Sequence, residues 1–203
     1  MGTYALQERH NLADLLDQVG PDAPTLSGEW TTRDLAAHLV IRERRPDAGP
    51  GLVVPALSGW TERVRQGAMK DHDYPELIKL VRERPWWIGP VDEVINLMEY
   101  FVHHEDIRRA VPEFKPRDLD KGYEQALWNR LHSAAGAMMH GHPANLVAPG
   151  FGEKVVGSAP TVTITGAPGE LILFAYGRQA VAQLDLDGPV DDMEKLRTAT
   201  FGV

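Results

Sequence analysis

The stretch NLMEYFVHHEDIRRA, Asn96 to Ala110, sets a carboxylate and an imidazole four residues apart inside an otherwise apolar run. On an α-helix, residues i and i+4 project from one face, so Glu99 and His103 have a spacing suited to two ligands of one divalent metal. Asp106 follows His103 by three and extends that face, where a carboxylate can orient an imidazole. His104 points about 100° away. The flanking Leu97, Phe101, Val102 and Ile107 predict that much of this helix is buried, and a buried carboxylate or histidine needs a partner. Whatever fold forms around this helix must supply one.

The preceding segments read as further helices. Leu6, Leu12, Leu15, Leu16 and Val19 recur at helical spacing from Tyr4 to Val19, and Gly20-Pro21 stops the run. His10 lies between Arg9 and Asn11 and reads as a rim histidine. A second helix begins near Thr32, where Thr31 and Asp34 have the spacing of an acidic capping box. Leu35, His38, Leu39 and Arg42 share one side of it, which puts His38 on or beside the apolar face; taken alone, such a histidine is more often a hydrogen-bonded core residue than a ligand. Pro46 to Pro55 is a Pro/Gly-rich connection. Leu57 to Met69 predicts a helix with Trp60 and Val64 inward, and Tyr74 to Arg84 a shorter one with Pro75 in its first turn. Pro85-Trp86-Trp87 ends that helix, and the two tryptophans read as lining a pocket or, the commoner use, as a plug for the end of a bundle.

The helix of Glu99 and His103 is expected to start after Gly89-Pro90 and to end before Pro112. Asp118 to Met139 predicts another long helix, with His140 and His142 at its solvated end. After Pro143 the pattern changes. TVTIT within Pro160 to Gly166 and AVAQLDL from Ala180 to Leu186 alternate like strands; PGELILFAYGR between them and Val190 to Thr198 after them read as helices. The expected organisation is a helical bundle over 1–143 and a small α+β domain over 144–203, mainly α overall.

Composition narrows the chemistry. The 203 residues contain no cysteine, which removes disulfides, thiolate ligands and a cysteine nucleophile together, so any metal is held by nitrogen and oxygen. A formal charge of −8 argues against a broad nucleic-acid footprint. Arg42, Arg44, Arg45, Arg108 and Arg109 read as solvated cations at helix ends. No apolar run reaches the length of a membrane span, and Glu8, Asp14 and Asp17 fall where a signal peptide would need an apolar core; the expected location is cytoplasmic.

Two segments carry a resemblance. GEWTTRDLAAHLV and MEYFVHHEDIRRA are similar to the signature segments of DinB-like four-helix bundle proteins, specifically the mycothiol-dependent maleylpyruvate isomerase-like family of actinobacteria. The resemblance implies that His38, Glu99 and His103 are metal ligands and Asp106 the accompanying acid. VTITG, ELILFAYGR and LDLDG resemble the small α+β domain, related to sterol-carrier folds, that often follows such bundles, and Arg178 at its Gly-Arg step becomes a candidate to face the open metal site. The implied cofactors are a divalent metal (zinc, with nickel, iron or manganese as alternatives) and mycothiol. The implied function is a thiol-dependent transferase or isomerase acting on a small electrophilic or anionic substrate.

Three other readings stand beside it. In the blandest, Glu99 forms a buried ion pair with a nearby arginine, and His38 and His103 are satisfied core residues. In another, the fold is a non-catalytic module that binds a metal or small ligand. A nucleic-acid-binding regulator is the weakest, given the acidic balance.

Overall fold

A computed structural model describes residues 4–45, 47 and 58–201. The expected connection from Pro46 to Pro55 falls outside the described residues except for Asp47. By backbone contacts the chain divides into two compact units, Met1–Pro116 and Arg117–Val203.

The first unit holds α1 (Tyr4–Val19), α2 (Thr32–Arg44), α3 (Ser58–Asp71), α4 (Tyr74–Arg82), α5 (Asp92–Ile95) and α6 (Leu97–Arg108). Four of these helices share one core. Leu12 and Leu16 of α1, Leu35 and Leu39 of α2, Leu77 and Val81 of α4, and Tyr100 and Ile107 of α6 are buried together, those of α1 and α2 and Ile107 at the apolar positions singled out by sequence spacing. The helix starts follow local chemistry. At α2 the Thr31 N–H donates to Asp34 Oδ2 at 2.9 Å and the Thr31 hydroxyl donates to the same oxygen at 2.8 Å. At α4 the Glu76 N–H donates to Asp73 Oδ1 at 2.9 Å while the Asp73 N–H donates to Glu76 Oε2 at 3.1 Å, a reciprocal box with Pro75 just inside it.

Three expectations in this unit are corrected. The helix expected to run from Gly89-Pro90 to Ala110 is broken at Asn96 into α5 and α6. Asn96 is fully buried, and its side-chain amide donates to Glu43 Oε1 at 2.8 Å and to Asp92 Oδ1 at 2.7 Å. Those bonds anchor the residue where the helix interrupts. The tryptophans of Pro85-Trp86-Trp87 plug nothing: Trp86 is 89% exposed and Trp87 49%, while Ile88 beside them is the buried residue. Trp60 is likewise half exposed, and Val64 faces inward as expected.

The second unit holds α7 (Lys121–Met138), β1 (Ala144–Ala148), β2 (Gly152–Val156), β3 (Thr163–Thr165), α8 (Pro168–Ala175), β4 (Asp185–Asp187) and α9 (Val190–Thr198). Helix α7, which the sequence reading drew into the bundle, thus lies with the second unit, where it packs on α8. The strands form one sheet in the order β2-β1-β3-β4, parallel between β1 and β3 and antiparallel elsewhere. Leu146 and Ile164 pair across the parallel register and are both fully buried. The hairpin of β1 and β2 is an addition to the sequence reading. Its turn has Gly150 at φ 82° and Gly152 at φ 137°, backbone that glycine adopts without steric cost. The strand expected over Ala180–Leu186 shrinks to β4, because Val181 and Ala182 donate back to Arg178 O in a turn. Gly188 ends β4 at φ 153°, and a Cβ there would lie 2.6 Å from Thr161 O. The architecture is mainly α with a small C-terminal α+β part, and none of the described helices is long and apolar enough to cross a membrane.

Candidate metal centre

Helices α2 and α6 carry the ionisable groups that the sequence spacing singled out. His38 projects from α2 with 8% of its surface exposed, and His103 from α6 with 7%. Their rings approach edge to face with centroids 5.1 Å apart. Glu99, one turn before His103, points between them: its Oε1 lies 3.5 Å from His38 Nε2 and 3.3 Å from His103 Nε2. One ligating atom from each of the three residues falls within 4.8 Å of the others, and among the described residues they form a group able to hold a metal ion.

The far side of His103 is equally ordered. Its Nδ1 is 2.9 Å from Asp106 Oδ2, and the Ser27 hydroxyl donates to that same oxygen at 2.9 Å. Asp106 is fully buried. The loop carrying Ser27 is fixed to α6, since the Leu26 N–H donates to Asp106 O at 3.0 Å, and it is closed on itself by the Thr25 hydroxyl donating to Trp30 O at 2.8 Å. Trp30 completes the wall, its ring centroid 5.1 Å from that of His38. With a carboxylate on Nδ1, the imidazole of His103 keeps a proton there and turns Nε2 toward the centre, so that loss of the Nε2 proton leaves a lone pair for a metal.

Burial and charge pull these groups in opposite directions. Burial alone would raise the Glu99 carboxyl, but hydrogen bonds from His103 and His38 and the nearby Arg42 charge hold it well below the ordinary range. Burial lowers His38, and the contact with Glu99 only partly offsets this. At His103 burial is outweighed by Asp106 and Glu99, which push the imidazole up to about 9. In the absence of a bound cation the centre therefore holds an ionised Glu99, a protonated His103 and a neutral His38.

Arg42 is the arginine that the ion-pair reading requires, its Nε 3.2 Å from Glu99 Oε1. The same reading also requires satisfied histidines; His103 is engaged at both nitrogens, whereas His38 is not. His38 Nδ1 is buried with no hydrogen-bond partner among the described residues, and its Nε2 reaches Glu99 only at 3.5 Å. A core histidine is normally better served. Two imidazoles and a carboxylate converging in a shielded site, one imidazole backed by a carboxylate, fit a divalent ion with positions left for other ligands.

The other sequence-derived candidates belong to the second unit. Arg178 belongs to the second unit, past the end of α8, where its N–H donates to Leu173 O at 2.8 Å and its Nη1 to Tyr176 O at 2.6 Å. His140 and His142 follow α7, with His142 Nδ1 donating to His140 O at 3.1 Å. Sequence reasoning missed three parts of the site and its surroundings. Arg42 is not a solvated helix end but leans on Glu99; its place four residues after His38 on the same face was the available signal. Arg109, also expected in solvent, is buried and pairs with Glu105 at 2.6 Å. Ser27 gave no signal, because its partner is 79 residues away. His104, off the metal face as its helical angle predicts, sits 2.8 Å from the buried carboxylate of Glu8.

No protein-family model and no curated protein matches the chain. Two solved structures do. The crystal structure of a mycothiol-dependent maleylpyruvate isomerase superposes with a TM-score of 0.59 and 14% sequence identity, over 92% of this chain and 90% of that one. A variant of that enzyme with one histidine replaced by alanine gives a TM-score of 0.60 at the same identity and coverage. The chain therefore has the fold of the mycothiol-dependent maleylpyruvate isomerase structures, and it brings His38, Glu99 and His103 together within that fold.

Proposed function

We propose that this chain binds one divalent metal through His38, Glu99 and His103 and takes a small thiol at that centre, acting as a thiol-dependent S-transferase or isomerase. The observation that carries this reading is the convergence of the three ligating atoms within 4.8 Å, in a fold shared with an enzyme described as mycothiol-dependent. Nitrogen and oxygen donors suit zinc, and also nickel, iron and manganese. A divalent ion held there would lower the pKa of a thiol beside it and supply a thiolate nucleophile near neutral pH.

The chain's own residues prepare the site. Asp106, held by Ser27, keeps the His103 proton on Nδ1. The ring of Trp30 shields one side of His38 from water. Glu99 brings a carboxylate that is ionised at any physiological pH. In this reading Arg178 clamps a carboxylate of a small electrophilic or anionic substrate, a role supported by the resemblance of the Gly177-Arg178 step. The same resemblance supports a sterol-carrier-like C-terminal domain. Mycothiol is the first thiol to test because the matching structures are of a mycothiol-dependent enzyme.

The test is elemental analysis of tag-free protein beside His38→Ala, followed by calorimetric titration of mycothiol into the metal-loaded wild type. Stoichiometric metal that is lost in the variant, with thiol binding that requires metal, is the expected result. Metal without thiol binding would assign a binding or structural role, and full metal loading of His38→Ala would remove the proposed ligand set.

A further inference from the structure

Glu99 Oε1 receives three nitrogen groups at once. His38 Nε2 lies 3.5 Å from it, His103 Nε2 3.3 Å and Arg42 Nε 3.2 Å. The first two are the imidazoles of the proposed ligand set. The third is a permanent cation in contact with the oxygen that a metal would use.

Arg42 is held in that position from behind. Its Nη1 donates to Asn96 Oδ1 at 2.5 Å and its Nη2 to Ile95 O at 3.2 Å. Asn96 is in turn fixed by Glu43 and Asp92, and both of those carboxylates are engaged by the fully buried Arg9. The break between α5 and α6 that brings Asn96 and the Ile95 carbonyl to face Arg42 is part of the same arrangement. The guanidinium is therefore a fixed element of the fold and not a surface side chain resting on the site.

We infer that Arg42 is the resident cation of this centre: it competes with a divalent ion for Glu99 Oε1 and so sets the metal concentration at which the site loads. The inference rests on the reading of His38, Glu99 and His103 as metal ligands. Charge counting gives its direction. Glu99 and Arg42 cancel as a pair, and a divalent ion taken up by Glu99 adds its two positive charges beside the guanidinium. Side chains that are each only 17% exposed are weakly screened by solvent, so the repulsion between guanidinium and metal is felt. Arg42 also helps to orient Glu99, and losing an orienting contact usually weakens a metal site. The charge effect is the larger here because Glu99 is independently positioned by α6 and by His103 one turn away on the same helix.

The arrangement has two consequences. The buried carboxylate is compensated before any metal arrives, so the bundle folds with the site unloaded. Weakly binding divalent ions at ambient concentration are kept out, because each must first overcome the resident charge.

The experiment measures the affinity of the full-length wild type, Arg42→Gln and Arg42→Lys for Zn²⁺ by competition with a chromophoric chelator at one pH and ionic strength. Arg42→Gln removes the charge and keeps an amide donor; it should bind Zn²⁺ about tenfold more tightly or better, as expected for removing a like charge at close range. Arg42→Lys keeps the charge and should stay near the wild type. Equal affinity in all three proteins would leave the ligand set standing and overturn the competition, as would weaker binding by Arg42→Gln. Failure of all three to bind Zn²⁺ would remove the ligand set, and the inference with it. Should Arg42→Gln not fold, the wild type gives the answer by itself. The side-chain Nε–H resonance of Arg42, assigned by its disappearance in Arg42→Lys, should shift and lose exchange protection as Zn²⁺ is added, and a resonance unchanged at saturation would overturn the proposal.

Discussion

His103 Nδ1 lies 2.9 Å from Asp106 Oδ2, three residues further along the same helix, while its Nε2 faces Glu99 one turn before it. One imidazole is thus gripped at both nitrogens by carboxylates from its own helix. Replacing Asp106 with Asn keeps the shape and removes the charge that fixes the proton on Nδ1. Zn²⁺ affinity should fall about 10- to 100-fold, the usual effect of altering such a supporting carboxylate. Chelator competition on Asp106→Asn beside the wild type measures it, and an unchanged affinity would mean that the Asp106 contact plays no part in holding a metal.

Protonation of His103 makes the metal-free protein pH-sensitive. Its pKa of about 9 in the fold lies above the unfolded value near 6.5, so its contribution to stability is complete below pH ~6.5 and is lost as pH rises through about 9. The urea midpoint of metal-free protein should fall between pH 7 and pH 9.5, and His103→Gln should flatten that part of the profile. At pH 7.5 the same proton must leave before Nε2 can ligate, so Zn²⁺ binding should release about one proton per site. Calorimetry in buffers of different ionisation enthalpy would count it.

Glu99→Gln separates the metal role of the carboxylate from its structural one. The amide is a poor ligand for a divalent ion and leaves Arg42 facing a neutral partner in a shielded site. Metal binding should disappear, and the metal-free protein should lose about 1–3 kcal/mol, the usual cost of an ill-satisfied buried hydrogen-bonding group. Unfolding in urea with a chelator present gives the second number. Loss of metal with no change in metal-free stability would show that the Arg42 contact contributes nothing to the fold.

The sequence disclosed what depends on short spacing. The i,i+4 pair of Glu99 and His103, the apolar positions Leu12, Leu16, Leu35 and Leu39 of α1 and α2, and the Thr31-Asp34 box are each written within one or two helical turns, and each appears in the structure at its expected place. What it concealed depends on partners far along the chain. Ser27 meets Asp106 and Glu8 meets His104 only because the bundle closes, and no local pattern marks either pair. The break at Asn96 was hidden because helical periodicity continues through it, and one of the two carboxylates that anchor its side chain, Glu43, lies far along the chain. Two exposed tryptophans misled in the opposite sense, because large apolar side chains ordinarily signal a core.

Arg9 and Glu43 form the centre of the buried polar network that adjoins the metal site. The guanidinium of Arg9 meets both oxygens of Glu43, at 2.5 and 2.8 Å, and donates to Val81 O at 3.0 Å; Tyr100 and Asn96 donate to Glu43 at 3.0 and 2.8 Å. Arg9 is fully buried and Glu43 nearly so. Removing Arg9 strands the Glu43 carboxylate where water does not reach, so Arg9→Met should cost about 3–5 kcal/mol of stability, whereas Glu43→Gln leaves Arg9 its contact with Asp92 and should cost less. Removing both together should cost less than the sum of the two, because the second substitution removes the charge that the first left stranded. A double-mutant cycle by urea unfolding of metal-free protein tests this, and additive losses would show that the two charges are compensated independently. Because Asn96 ties this network to Arg42, the single variants should also alter Zn²⁺ affinity, whereas a substitution at Arg82, which pairs with Asp14 on the surface, should not.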